Sequence, residues 1–177
     1  MQNIIHNMPF TQKELEQATK ILDDLNQELV EKISQGHGPF LAALYDAQGN
    51  CISKEANSVV LDQCSHCHAE MNAIKSAEKK YNTFDLSTYD LALYTTSEPC
   101  IMCLGGILWS GIKKVYFSVP SSKVEEITGF DEGFKPNWLE EFKARGIKVV
   151  GNISSPKGEQ VLKLYVEQQH TIYKPSS

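Results

Sequence analysis

Two short words constrain this chain more than anything else in it: His68-Ala69-Glu70 and, further along, Pro99-Cys100-Ile101-Met102-Cys103. An imidazole and two thiolates can share one zinc ion. Three protein donors leave its fourth position to water, which marks a catalytic site rather than a closed structural one. Any fold the chain adopts must therefore bring the two words together. Cys100 and Cys103 stand about one turn apart if a helix starts there, so both sulfurs can face one point. A helix N-terminus also favours the thiolate that zinc requires. Pro99 fits such a start, because proline is tolerated in the first helical turn. Glu70, two residues past the histidine, is placed to move the water's protons. The expected site is one zinc per chain on His68, Cys100 and Cys103, with water as fourth ligand and Glu70 as the catalytic group.

Around these words the apolar pattern switches between helical and strand periods. Residues 11–34 predict an amphipathic helix: Thr11 and Glu14 fit a capping box, and Leu15, Ala18, Ile21, Leu22, Leu25, Leu29 and Ile33 recur at helical spacing. Gly36-His37-Gly38-Pro39 stops it. Residues 40–45 and 51–58 read as a hairpin across the turn at 46–50. A loop follows at 59–67, a helix at 68–80, a strand at 91–95, a helix from Pro99 to about Ser110 and a strand at 113–119. Residues 120–136 read as a long connection, 138–145 as a helix, 147–150 as a strand and 158–170 as a last helix with a polar tail. This order predicts an α/β fold, a three-layer α-β-α sandwich around a five-stranded mixed sheet. The helix between the last two strands makes them parallel. Nothing resembling a linker or repeat divides the chain, so residues 1–177 are expected to form a single domain. Its zinc core spans about 38–134, and a C-terminal helix and tail occupy 156–177.

The 177 residues carry a net charge of −5. That balance argues against a nucleic-acid partner, which wants a basic face. Lys79-Lys80 and Lys113-Lys114 read as solvated surface. No apolar run is long enough to span a bilayer. Residues 1–10 lack the basic-then-apolar order of a secretory signal, so a cytoplasmic location and no membrane partner are expected. Cysteines there stay reduced, and Cys-x-x-Cys favours metal or redox chemistry over disulfides.

His-x-Glu followed by Pro-Cys-x-x-Cys is the signature of zinc deaminases, which replace an amino group on a heterocyclic ring with oxygen. By it the chain is identified as a member of the cytidine deaminase-like superfamily. The stretches His68-Ala69-Glu70-Met71-Asn72-Ala73-Ile74 and Thr96-Ser97-Glu98-Pro99-Cys100-Ile101-Met102-Cys103-Leu104-Gly105-Gly106-Ile107 resemble its purine and tRNA branch. Within that branch the chain is most similar to bacterial guanine deaminases of the small kind. Gly38-Pro39-Phe40, Asn57, Trp109 and Gly129-Phe130-Asp131-Glu132-Gly133-Phe134 extend the resemblance from about Gly38 to Phe134.

The resemblance implies a homodimer that hydrolyses a free base, guanine, to xanthine and ammonia. It implies that Asn57 contacts the base, that Trp109 matches an aromatic residue on the second zinc helix, and that Ala69 and Phe40 lie at the substrate. Glu132 takes the place of an aspartate that helps bind or protonate the purine. A longer carboxylate reaches further, which leaves an aminated triazine, a pterin or another purine open as the substrate. Tyr173 of the partner subunit is implied to reach into the site.

Read by themselves, several of these residues have plainer uses. Asn57 fits a base-edge reader or a loop brace. Trp109 fits core, dimer interface or substrate contact. Phe40 fits core or a stacking platform, His37 an exposed loop or the pocket mouth, and Glu132 a solvated acid. Cys51 reads as packed in a strand. Cys64-Ser65-His66-Cys67 departs from the family. It reads as free thiols near the site, or as an auxiliary metal or redox contact.

Two further functions stay open. Cys64, Cys67, Cys100 and Cys103 could close a non-catalytic structural zinc module. The two pairs are much further apart than the roughly 15–20 residues usual for such sites, and His68 and Glu70 would then have no role. A tRNA adenosine deaminase would use the same zinc words, but acidic charge and the lack of a basic C-terminal helix oppose it.

Overall fold

The computed structural model describes residues 3–174, so the end of the expected tail lies outside the described residues. The chain opens on a two-residue strand, β1 (Ile5–His6), and turns into helix α1 (Gln12–Ser34). The capping box is complete. The Thr11 hydroxyl accepts from the Glu14 N–H at 3.1 Å, and the Glu14 carboxylate accepts from the Thr11 N–H at 2.8 Å. Ala18, Leu22, Leu25, Leu29 and Ile33 make the buried stripe of α1. There follow β2 (Leu41–Tyr45), β3 (Cys51–Ala56), the one-turn α2 (Val59–Asp62), α3 (Ala69–Tyr81), β4 (Ala92–Ser97) and α4 (Ile101–Ser110). The chain continues through β5 (Lys114–Val119), α5 (Ser121–Thr128), α6 (Trp138–Ala144), β6 (Lys148–Gly151) and α7 (Ser155–Glu167).

The strands form one mixed sheet in the order β1-β6-β5-β4-β2-β3. Alternate side chains of the strands enter opposite layers. Leu41, Ala43, Tyr94, Tyr116 and Val150 join the core under α1, α5 and α7. Ala42, Leu44, Leu93, Val115, Phe117 and Val149 join the core under α3, α4 and α6. The inner strands are covered on both faces, hence their nearly continuous apolar runs.

The sheet has six strands where five were expected. Two residues are too few to show a period, so β1 is silent in the sequence. Asn7 pins it: its amide donates to Leu139 O and Ile147 O at 3.0 Å each, and its Oδ1 accepts from the Val149 N–H at 2.8 Å. β5 and β6 pair in parallel, but β1 adds antiparallel on β6. The sheet therefore ends on an antiparallel pair, not on the two parallel strands expected at its end.

Other boundaries also move. Helix α5 lies in the stretch read as a long connection; only Val124 and Thr128 of its residues are buried, too few to show a helical period. The short α2 lies in the expected loop. Helix α4 starts at Ile101 rather than Pro99; Cys100 is its extended N-cap (φ −69°, ψ 171°). Helix α7 begins at Ser155, with Pro156 in its first turn, and ends at Glu167. No helix among the described residues is long and apolar enough to cross a membrane.

Gly151 ends β6 against the ring of Phe117, and a Cβ added there would collide with that ring. Phe117 is fully buried and has nowhere to retreat. Gly151→Ala should therefore cost about 2–3 kcal/mol by overpacking. It should lower the urea midpoint without changing the slope. A midpoint equal to the parent's would mean that the ring can give way.

Candidate active site

The zinc words meet at the N-termini of two packed helices. His68 is the N-cap of α3 and Cys100 the N-cap of α4, with Cys103 in the first turn beyond it. Their donor atoms form a triangle. His68 Nδ1 lies 3.4 Å from Cys100 Sγ, Cys100 Sγ lies 3.6 Å from Cys103 Sγ, and Cys103 Sγ lies 3.7 Å from His68 Nδ1. A tetrahedral zinc with bonds of about 2.3 Å to sulfur and about 2.0 Å to nitrogen needs edges of roughly 3.5–3.8 Å. The triangle fits that ion.

Its electrostatics are uneven. The Cys103 thiol, hydrogen-bonded to Cys100, and the His68 ring beside it hold the Cys100 thiol at about 4 in spite of burial. The same hydrogen bond, with burial, pushes the Cys103 thiol well up. Burial pulls His68 down, but its contact with Cys100 wins and raises it.

Glu70, in the first turn of α3, is only 6% exposed. Its Oε1 accepts from the Thr95 hydroxyl at 3.2 Å and its Oε2 from the Cys103 thiol at 3.4 Å. Burial, then the negative charge on Cys100, raise its pKa. A carboxyl so shifted can return protons as well as take them near neutral pH.

A cavity of about 1120 Å³ opens on His68, Glu70 and Cys100. A groove of about 1100 Å³ between α1 and α7 is lined by no cysteine or histidine. Chemistry, not volume, marks the candidate site. Asn57, fully buried, serves the loop and the cavity together: Oδ1 accepts from the Val59 N–H at 3.2 Å, and Nδ2 donates to the Tyr173 hydroxyl at 2.8 Å. Phe40 lines the cavity edge-on to Phe130, ring centres 5.4 Å apart, and also packs against both cores.

Tyr173 lies in the site of its own chain, where the resemblance implied the partner's tail. Its ring sits 4.7 Å from that of Phe130 and 6.3 Å from that of His68. Two expected contacts are not brought to the cavity. Trp109 is 88% exposed on α4, and the Ala69 side chain is fully buried in the core. His37 lies beside the site, its Nδ1 3.0 Å from Asn57 O, without lining the cavity. Cys51 is exposed rather than packed. Cys64, His66 and Cys67 form a cluster separate from the first, so the four thiols do not share one site.

Glu132 is held in a buried network absent from the sequence reading. Its Oε2 accepts from Lys135 Nζ at 3.0 Å and from the Ser121 hydroxyl, and Lys135 also reaches Glu98 Oε1 at 3.2 Å. Burial, only partly opposed by Lys135, pushes the Glu132 carboxyl up to about 7. Lys135 and Ser121 lie in the stretch read as a long connection and gave no signal. Thr95 closes the strand expected at 91–95; β4 in fact runs on to Ser97 and is buried throughout, which places both hydroxyls at the site. Among the described residues the buried Ser97 hydroxyl has no partner, and it lines the cavity.

Residues 14–119 match the family described as the cytidine and deoxycytidylate deaminase zinc-binding region. The chain belongs to that family, and zinc is the metal its donor set is built for. It is 35% identical over 104 residues to the guanine deaminase of Bacillus subtilis (strain 168), across 59% of this chain and 65% of that one. It is 39% identical over 97 residues to the tRNA-specific adenosine deaminase of Aquifex aeolicus (strain VF5), across 55% of this chain and 62% of that one. These matches span less than two thirds of either relative's own length. Among solved structures, it is similar to the guanine deaminase from Nitrosomonas europaea, with TM-score 0.78 and 35% identity, covering 81% of each chain.

Proposed function

We propose that the protein is a zinc-dependent hydrolytic deaminase of a free aminated base, guanine, giving xanthine and ammonia. The observation that carries this is Glu70, a buried carboxylate 3.4 Å from a zinc-donor sulfur on the wall of a cavity large enough for a purine. Zinc on His68, Cys100 and Cys103 supplies the Lewis acidity that makes a water nucleophilic near neutral pH. Glu70 takes a proton from the attacking water as its oxygen adds to the ring carbon that bears the amine. It gives that proton to the neighbouring ring nitrogen. It then carries the proton of the added hydroxyl to the amine, which leaves as ammonia while the carbonyl forms. Thr95 fixes one carboxylate oxygen and leaves the other toward the donors.

Asn57 Nδ2 and the unpartnered Ser97 hydroxyl offer polar contacts to the edge of the base. Phe40, Phe130 and Tyr173 supply apolar walls. Glu132 takes the role of the second acid. The two guanine deaminases similar to this chain support that substrate. The exposed Leu108, Trp109 and Phe134 support a homodimer. We place the enzyme in the cytoplasm as a single domain.

The direct test is ammonia release from a panel of guanine, adenine, cytosine, cytidine, ammeline, aminopterins and a tRNA stem-loop. Guanine should be turned over. Release from the stem-loop alone would replace this reading with the tRNA one, and silence on the whole panel would end it.

Glu132 gives the reaction a pH signature. With its carboxyl near 7, kcat/KM for guanine should pass through a transition near neutral pH. Glu132→Gln should abolish that transition while zinc content stays constant. The same group tilts stability. The folded protein holds a proton that the unfolded chain, with a value of 4.5, has released. Stability from this group is therefore present below 4.5 and lost as the pH rises toward 7, by at most about 3 kcal/mol. Urea midpoints of Glu132→Gln should be flatter than the parent's over that window; a parallel pair of curves would refute the shift.

A further inference from the structure

We propose a second metal site on Cys64 Sγ, the His66 imidazole and Cys67 Sγ, taking zinc in the loop that walls the cavity. The three donors lie within 4.8 Å of one another and are a group apart from His68, Cys100 and Cys103. Cys64 Sγ is 3.4 Å from each ring nitrogen of His66, matching the shortest edge of the first triangle. His66 is exposed, so its ring turns either nitrogen inward at little cost.

The sulfurs, by contrast, are held by the backbone before any metal arrives. Cys67 N–H donates to Cys64 O at 3.1 Å, Cys64 N–H to Val59 O at 3.1 Å, and Ser58 N–H to Cys67 O at 2.9 Å. The Asn72 amide adds a bond to Cys67 O at 3.3 Å. Gln63, just before Cys64, takes the left-handed conformation (φ 50°) that turns the chain back on itself. A non-glycine residue persists there only where its surroundings hold it.

Two thiolates and an imidazole are donors for zinc or another thiophilic cation, not for magnesium or calcium. Two thiolates also cancel the charge of a divalent ion. The cluster has no counterpart of Glu70, since the nearby Asp62 is bonded to the Ser58 hydroxyl at 2.6 Å. Its function is to brace. It clamps residues 59–67, between Asn57 and His68, and Cys64 belongs both to the cluster and to the cavity wall. With three protein donors and one of them exposed, it holds zinc more weakly than the first site. The proposal is independent of the deaminase reading, because it stands on a different set of donors.

The test is zinc stoichiometry of the full chain, titrated against a chromophoric chelator under reducing conditions. The parent should bind a tight equivalent and then a weaker second one. His66→Ala and Cys64→Ser should each lose only the second, and Cys100→Ser only the first. Cobalt(II) in place of zinc should give thiolate charge-transfer absorption in two steps, the later one missing in His66→Ala. Amide exchange over 59–67 should slow as the second equivalent binds. Equal stoichiometry in the parent, His66→Ala and Cys64→Ser would overturn the site. So would a Cys64–Cys67 disulfide found by mass in the zinc-saturated protein, which would assign the pair to redox chemistry instead.

Discussion

Glu70→Gln should cut turnover by about 10²- to 10⁴-fold while the zinc content stays that of the parent. The substitution keeps the size of the side chain and an oxygen to accept from Thr95, whose hydroxyl lies 3.2 Å away. It removes the one capacity the reaction needs, reversible protonation beside the donor triangle. The proton transfers occur in the transition state, so kcat and kcat/KM should fall together and KM should change little. Folding should not suffer. Glu70 is buried with its pKa raised, so at neutral pH the ionised form already costs free energy and a neutral amide relieves that cost. Steady-state ammonia release, metal analysis and a urea midpoint on one preparation check all three statements. A variant with parental zinc that keeps more than a tenth of the parent's turnover would remove Glu70 from the chemistry. A non-catalytic zinc module predicts instead that parent and variant alike release no ammonia and hold the same zinc, since nothing in it needs the acid.

How far the sequence reaches here depends on how each residue advertises itself. The zinc donors were legible because metal binding needs rare residue types at fixed spacing, and His68, Cys100 and Cys103 do converge. The capping box of α1 was legible because both partners sit within one turn. The site's second half was not. Lys135 stands three residues from Glu132, but it meets Glu98, 37 positions away, only in the folded chain, and no local pattern in 120–136 encodes that contact. β1 is held by the Asn7 side chain against backbone of β6 and the chain before it, a contact between residues about 140 positions apart. Trp109 is a different case. The matching aromatic left core, dimer interface and substrate contact open, and helical phase turns it outward, 88% exposed. Periodicity fixes which residues share a face; it does not say which face meets the substrate.

Cys103→Ser should abolish both tight zinc binding and turnover. Cys103 is fully buried and 3.6 Å from Cys100 Sγ, so its replacement is a hydroxyl that does not ionise at neutral pH in a space made for a thiolate. Without the metal, the charges in the triangle are already part-way to a ligand set. Cys100 titrates at about 4 and is a thiolate, whereas Cys103 is pushed up and keeps its proton. His68 is raised by its contact with Cys100, which outweighs burial, and carries some positive charge. Zinc needs both thiolates and a neutral imidazole, so loading must expel the proton of Cys103 and whatever proton His68 holds. Affinity should therefore rise with pH, and reloading the stripped parent in weak buffer should acidify the solution. Zinc that binds only the folded state adds about 4 kcal/mol at a thousandfold excess over its Kd, so chelation should lower the parent's thermal midpoint reversibly. Cys103→Ser should show neither the proton release nor the zinc-dependent midpoint of the tight site. Parental zinc affinity in Cys103→Ser would mean that the ion sits elsewhere, and the catalytic roles built on this triangle would move with it.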